Sequence, residues 1–347
     1  MIKIAMFNNK GGVGKTTLTC NLASHFAKKH KQRVLVVDCD PQCNATQLIM
    51  GLDFAADLYW NPKTRSPYTT ISDILQPIED GDANIIEKIN PIPYNINRFG
   101  VSLIAGHPRL SIIEDKLSEA WSQLLSGDLG GIRKSNWNTN LSDKVKNDFD
   151  FVFYDLGPSL GSINRSVLIG CDYFVTPMGS DIFSILGVRN IATWLDSWIS
   201  YYENGIQLCE KQTPERIKQY KVPETLSIKT GYLGYTIQQY ITKTRDGVRR
   251  ATKAYEEIIQ VVPDEVYNSL KSFSDENFQK EDFKLGDVPH LYSLIPLGQS
   301  SASPILDLTG SDGLVGPQFK QLEQYQQWID FITTRIQENL NMKSEII

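Results

Sequence analysis

The stretch Asn8–Thr17, NNKGGVGKTT, gathers residue types that could handle a phosphate. Gly11, Gly12 and Gly14, with Val13 among them, let the backbone approach an anion and take positive φ. Successive N–H groups can then aim at a phosphate at the positive end of the next helix. Lys15 adds a mobile positive charge for β- and γ-phosphates, and Thr16 a hydroxyl for Mg2+. Two features do not fit the pattern G-x-x-x-x-G-K-[ST]. Asn9 stands where glycine is expected, and Lys10 is a second lysine in a loop that needs one. A solvated glycine turn and a solvated Lys10 are the competing readings. The place of the stretch, after an apolar run and before a helical pattern, favours a phosphate site.

A triphosphate site also calls for carboxylates at the carboxyl ends of neighbouring strands. Asp38 and Asp40 close an apolar run in VVDCDPQCNAT, and Asp155 closes another in DFVFYDLGPSLG. For Asp38 a helix cap or a structural ion pair remains an alternative.

These residues need elements to position them. Lys3–Phe7 and Arg33–Asp38 read as buried strands around a helix carrying Leu18, Leu22 and Phe26. Further apolar runs lie at Val101–Ala105, Phe151–Tyr154, Tyr173–Thr176, Tyr232–Ile237 and Leu291–Ile295, with helical patterns at Ile163–Ile169 and Ile182–Ile199. The pattern predicts a doubly wound α/β fold with a mostly parallel, twisted sheet of about seven strands and helices on both faces. Residues 1–347 are expected to form one P-loop domain. Polar insertions are expected near 58–97, 126–147 and 202–227. A final helix should present Phe319, Leu322, Tyr325, Trp328, Ile329, Ile332, Ile336 and Leu340 on one face.

The bulk numbers exclude some classes. The 347 residues are 41% hydrophobic and 22% charged, with 35 Lys and Arg against 40 Asp and Glu. A net charge of −5 rules out a globally basic nucleic-acid binder but leaves room for a basic patch. The five cysteines are scattered without a C-x-x-C pair, so neither a zinc site nor a disulfide framework is indicated. No signal peptide or membrane-spanning run is visible, and a cytoplasmic location is expected.

At this point a resemblance can be stated. KGGVGKTT, VVDCDPQCNAT and FYDLGPSLGSINRSVL resemble the deviant P-loop ATPases of the ParA/MinD/Soj group, nearest to its ParA-like partition ATPases. YSLIPLGQSSASPI, and DYFVTPMGSD followed by GVRNI, are similar to later segments in the family's order. The resemblance implies Mg2+-ATP as ligand and a homodimer in the ATP state. It implies that Lys10 reaches into the partner's nucleotide site. By the same resemblance Lys15 binds phosphate, Thr16 ligates Mg2+ and Thr17 touches the α-phosphate. Asp40 orients the attacking water, Asp155 holds the metal through water, and Asp38 supports the metal shell. Adenine contacts are expected near Gln238 and Pro296. Two departures stand out. Cys43 replaces the glycine of the family's D-P-Q-G, and Asp155 is followed by Leu156-Gly157-Pro158 rather than x-P-P.

An ATP cycle of this kind can drive several outputs. For DNA, residues 241–259 are expected to form a helix with Arg245, Arg249, Arg250 and Lys253 on one side. An ordinary solvated face is the equal competitor. The C-terminal helix has few basic residues on its polar face, so membrane binding is not expected. Cys171 lies too far from Asp155 for an iron–sulfur carrier of this group. No helix-turn-helix precedes the loop, so sequence-specific operator binding is not expected. The favoured reading is a ParA-type ATPase for plasmid or chromosome partition, with non-specific DNA binding and an adaptor or centromere-binding partner that stimulates slow hydrolysis. A switch for another cargo, a defence-type complex and a metabolic ATP-dependent ligase are the alternatives.

Overall fold

The structure, a computed structural model, describes residues 1–60, 67–238, 242–245, 248–251, 253–288, 291 and 293–344. The chain runs β1 (Ile2–Met6), α1 (Lys15–Lys28), β2 (Val34–Cys39), α2 (Asn44–Met50), α3 (Leu52–Trp60), α4 (Ile71–Glu79), β3 (Ser102–Ile104) and α5 (Leu110–Leu125). It continues through α6 (Leu129–Ser135), α7 (Trp137–Val145), β4 (Phe151–Leu156), α8 (Ser162–Ile169), β5 (Tyr173–Gly179), α9 (Ile182–Gln212), α10 (Pro214–Ile217) and β6 (Tyr232–Gln238). Last come β7 (Thr242–Arg245), β8 (Val248–Ala251), α11 (Lys253–Leu270), β9 (Lys284–Val288), α12 (Leu294–Ser300) and α13 (Gln318–Ser344).

Seven strands form one sheet in the order β3-β2-β4-β1-β5-β6-β9, and every pairing in it is parallel. Alternation within β1 and β2 explains their continuous apolar runs. Ala5, Leu35 and Val37 enter one core with α4, α5, α8 and α9. Ile4, Met6, Val34 and Val36 enter a second core with α1, α2 and α13. Both faces of the sheet are covered, so neither set of side chains can be polar. The parallel pairing also puts the carboxyl ends of β1, β2 and β4 side by side, which is where the glycine loop and the three aspartates emerge.

Five expectations differ from the observed structure. The run Leu291–Ile295 is not a strand, since helix α12 begins at Leu294. The seventh strand is β9, KLGDV, a short edge strand whose Lys, Gly and Asp leave little apolar signal around Leu285 and Val288. It lies close to α13 because Gly286 has no side chain. A Cβ there would sit 2.7 Å from Ile332.

The expected helix over 241–259 is instead an antiparallel hairpin followed by a helix that begins at Lys253. Lys243 is in register with Arg250, and Thr244 with Arg249. Asp246-Gly247 between the strands is a strong hairpin signal in the sequence. The side chains of Arg245, Arg249, Arg250 and Lys253 lie outside the described residues.

The stretch 126–147 is largely helical and built into the core. Ile132, Trp137, Leu141 and Val145 are buried, and Trp137 Nε1 donates to Ser166 Oγ of α8 at 2.7 Å. The start of 202–227 is likewise the last part of α9, with Tyr202 fully buried. On α13 the apolar face packs on the core from Leu322 onward, but Phe319 is exposed. All five cysteines are free and buried.

Candidate functional site

β1 delivers the chain into the glycine loop, and α1 starts at Lys15. Gly12 and Gly14 take φ of 72° and 75°, in the left-handed region that costs other residues roughly 1–2 kcal/mol. Asn8 anchors the loop to β5 by donating from Nδ2 to Pro177 O at 2.7 Å. Asn9 lies against α9, where Gly187 leaves room: a Cβ at Gly187 would be 3.0 Å from Asn9 Oδ1. Val13 is buried and sits next to Gly179, which a Cβ would bring to 3.7 Å from Val13 Cγ1. Its contribution to a phosphate cradle is therefore its backbone.

Lys15 is buried, and its Nζ donates to Lys10 O at 2.9 Å across the loop. Burial lowers its pKa, opposed by the charges of Asp155 and Asp40. The Lys10 ammonium pairs with Asp181, the cap of α9. Thr16 Oγ1 donates to Asp155 Oδ2 at 2.7 Å, and Thr19 Oγ1 to Lys15 O at 2.8 Å.

Asp38 and Asp155 stand opposite each other in the β2–β4 register, both without solvent exposure. Burial pushes both carboxyls up, and for Asp155 the adjacent Asp38 charge adds to it. Their environments otherwise differ. Asp155 meets Thr16 and feels Lys15. Asp38 Oδ2 accepts from Thr46 N at 2.8 Å and Thr46 Oγ1 at 2.7 Å, and its Oδ1 from Asp40 N at 3.2 Å. Thr46 Oγ1 in turn accepts from Gly106 N at 2.9 Å. The Asp38 carboxylate is thus engaged in holding residues 40–46 against the β3 end. Asp38 accepts from Thr46 N within the first turn of α2, although the residue at the N-cap of that helix is Cys43.

Asp40 accepts from Gln42 N at 2.9 Å and faces Gly157, whose Cβ would lie 3.3 Å from Asp40 Oδ1. The loops after β2 and β4 therefore touch. Asn164 Nδ2 holds the second of them by donating to Gly157 O at 2.9 Å and Ser159 O at 2.7 Å. Cys43, in place of the family's glycine, keeps a glycine-like φ of 55°.

A cavity of about 850 Å3 opens over these groups. Gly11, Gly12, Gly14, Lys15, Thr16 and Thr17 form one wall, with Asp40, Gln42 and Asn44 beside them and Pro296, Gln299 and Ser300 of α12 at the rim. Its volume is in the range of nucleotide-sized ligand sites. Gln238 does not line it. It is buried behind the loop, donates to Thr236 Oγ1 at 3.1 Å, and borders a void of about 10 Å3 beneath Gly14 and Thr17. Asp181, Thr46, Gln42 and Gln299 were not foreseen as site residues. Gln299 lay within the quoted segment YSLIPLGQSSASPI, but its place at the rim follows from α12 being a helix. Among the described residues no cluster of three His, Cys, Asp or Glu could hold a metal by itself. No described helix is long and apolar enough to cross a membrane.

Comparisons with known proteins agree with this fold. A family profile described as an AAA domain matches residues 1–208. The chain is 30% identical over 196 residues to a ParA family protein of Chlamydia trachomatis, covering 56% of this chain and 65% of that one. It is 30% identical over 188 residues to the sporulation initiation inhibitor protein Soj of Bacillus subtilis, covering 54% and 62%. The matches thus span less than two thirds of these relatives' lengths. Protein DIP2308 of Corynebacterium diphtheriae has a similar structure, with a TM-score of 0.68 and 34% identity over 87% of this chain and 97% of that one. The structure of pNOB8 ParA shares the fold, with a TM-score of 0.58 at 18% identity over 99% and 98%. The chain belongs to this AAA-domain family and, within it, to the ParA-like P-loop ATPases.

Proposed function

We propose that this protein is an ATP-driven switch that binds and slowly hydrolyses Mg2+-ATP and dimerises in the ATP state. The observation that carries this reading is the convergence of Lys15, Thr16, Asp40 and the glycine loop on one nucleotide-sized cavity. The triphosphate would lie along the loop N–H groups, with Lys15 leaving Lys10 O for its β/γ end. Asp40 would hold the attacking water in line with the γ-phosphate, and Gly157 would sense that phosphate. Hydrolysis then depends on positioning and charge stabilisation more than on covalent chemistry.

The residues also fit a magnesium ion. Thr16 Oγ1 and Asp155 lie together beside the cavity, and Mg2+ takes oxygen ligands from few side chains, phosphates and water. When bound, it would neutralise phosphate charge. Lys10 would reach the partner protomer's nucleotide, which ties dimerisation to ATP. A lysine about 4 Å from a phosphate charge, at an effective dielectric constant of about 20, gains about 4 kcal/mol before desolvation.

The cycle would serve plasmid or chromosome partition. The basic hairpin and the start of α11, carrying Lys243, Arg245, Arg249, Arg250 and Lys253, would bind DNA phosphates without sequence preference. An adaptor or centromere-binding protein would supply specificity and stimulate turnover. The test is equilibrium nucleotide binding by the wild type and by Lys15→Ala, each with Mg2+. Wild-type binding of ATP, lost by at least about a hundredfold in the variant, is expected for a charge-assisted phosphate contact of this kind. Equal affinity in the two would refute the site.

A further inference from the structure

Lys10 is held at both ends. Its backbone N–H donates to Asn8 Oδ1 at 2.9 Å, and its carbonyl accepts from Lys15. Its ammonium meets Asp181 Oδ2. That carboxylate does a second task. Oδ1 accepts from Phe183 N at 3.0 Å and Ser184 N at 3.3 Å, capping the long helix α9. Partial burial alone would raise the pKa of Asp181, but the Lys10 bond and the helix N–H groups outweigh it and hold the carboxyl below its usual range. About a third of each side chain of the pair is open to solvent.

The next residues of α9 are unusual for a surface. Ile182, Phe183 and Leu186 are 58%, 70% and 46% exposed. They form an apolar patch at the foot of the Lys10–Asp181 pair, on the flank of the phosphate loop. Exposed apolar groups grouped in this way mark interaction surfaces. The chemistry of the occupant follows from the neighbour. A partner that covers this turn comes within reach of Lys10, and a phosphate-bearing partner offers that lysine a stronger anion than Asp181 does. A second copy of this chain carrying nucleotide presents both an identical apolar turn and phosphate, as an isologous contact requires.

We propose, resting on the ATP-dependent dimer above, that the first turn of α9 is a face for a second copy of this chain and that Asp181 retains Lys10 on its own protomer until that copy docks. Asp181 is then a positioning residue acting through Lys10. Dimerisation exchanges one anion for another at each lysine, so the resting protomer is kept from premature pairing at low ATP.

The experiment uses Asp181→Asn. Asparagine caps a helix as well as aspartate but carries no charge for Lys10. A partly exposed ion pair restrains its lysine by about fivefold. With two such restraints per dimer, the dissociation constant of the Mg2+-ATP dimer, read by sedimentation velocity, should fall by about 25-fold. Phe183→Ser should raise it by about tenfold or more. A second readout needs no dimer. In the nucleotide-free protomer, acylation of Lys10 followed by mass spectrometry should be several times faster in Asp181→Asn than in the wild type. Equal acylation rates, or a dimer no tighter in Asp181→Asn, would overturn the restraint. An unchanged dimer in Phe183→Ser would overturn the docking face. If the wild type forms no ATP dimer at all, the dimer reading and the docking face fall, and the acylation rates alone decide the restraint.

Discussion

Thr46→Val tests whether Asp38 serves the switch segment. The hydroxyl of Thr46 is fully buried and makes two hydrogen bonds, to Asp38 Oδ2 at 2.7 Å and from Gly106 N at 2.9 Å. Valine fills the same volume, so no cavity complicates the result. The first bond, to a carboxylate, contributes about 1.5–3 kcal/mol, and the stranded Gly106 N–H costs about 1–3 kcal/mol more. Asp38 keeps its bonds from Thr46 N and Asp40 N, which limits the damage. The net loss should be about 3–5 kcal/mol, read as a lower urea midpoint with unchanged slope. Turnover should also fall. Asp40 is tied to Asp38 through its own N–H, and a shift of about 1 Å in a positioning group costs on the order of a hundredfold. Nucleotide affinity should change little, because Lys15 and the glycine loop are untouched. A stability loss below about 1 kcal/mol with full turnover would refute the idea that Asp38 organises residues 40–46.

Two further outcomes follow from the same structure. Gly131→Ala should destabilise the protein by about 1–3 kcal/mol through overpacking, although alanine favours helices. Its Cβ would lie 2.5–2.7 Å from Gln123 Cβ, Ala120 O and Leu124 N, and thermal or urea unfolding would read the loss. The double variant Arg249→Glu with Arg250→Glu should weaken binding to random-sequence duplex DNA and lower its salt slope by about two. An unchanged affinity and slope would remove the hairpin from the DNA reading.

The sheet was legible because its strands are buried on both faces. Runs such as Val34–Val37 have no room for polar residues, and a one-dimensional pattern shows that directly. The phosphate loop was legible because its chemistry is local: three glycines, a lysine and a threonine act within a few residues. What the sequence hid depends on distant partners. β9 is a short edge strand with only Leu285 and Val288 apolar, recognisable by its pairing with β6. The helices α6 and α7 carry enough Gly, Asn and Ser to read as a surface insertion. Yet Trp137 and Asn138 both reach α8: Trp137 Nε1 donates to Ser166 Oγ and Asn138 Nδ2 to Val167 O. The hairpin β7–β8 resembles a helix in sequence because its basic residues also fit a helical face, and only Asp246-Gly247 signals a turn. Asp38 and Asp155 were both found, but only the third dimension separates them. Thr46 claims one and Thr16 the other. Asp181 had no local signal, since its partner Lys10 lies 171 positions away.

The most direct test of the switch is the mass in solution of Asp40→Ala, measured by sedimentation velocity with Mg2+-ATP and with Mg2+-ADP. Without the residue that positions water, ATP should persist, so the account predicts a stable dimer with ATP and a monomer with ADP. The same mass in both nucleotides would contradict it.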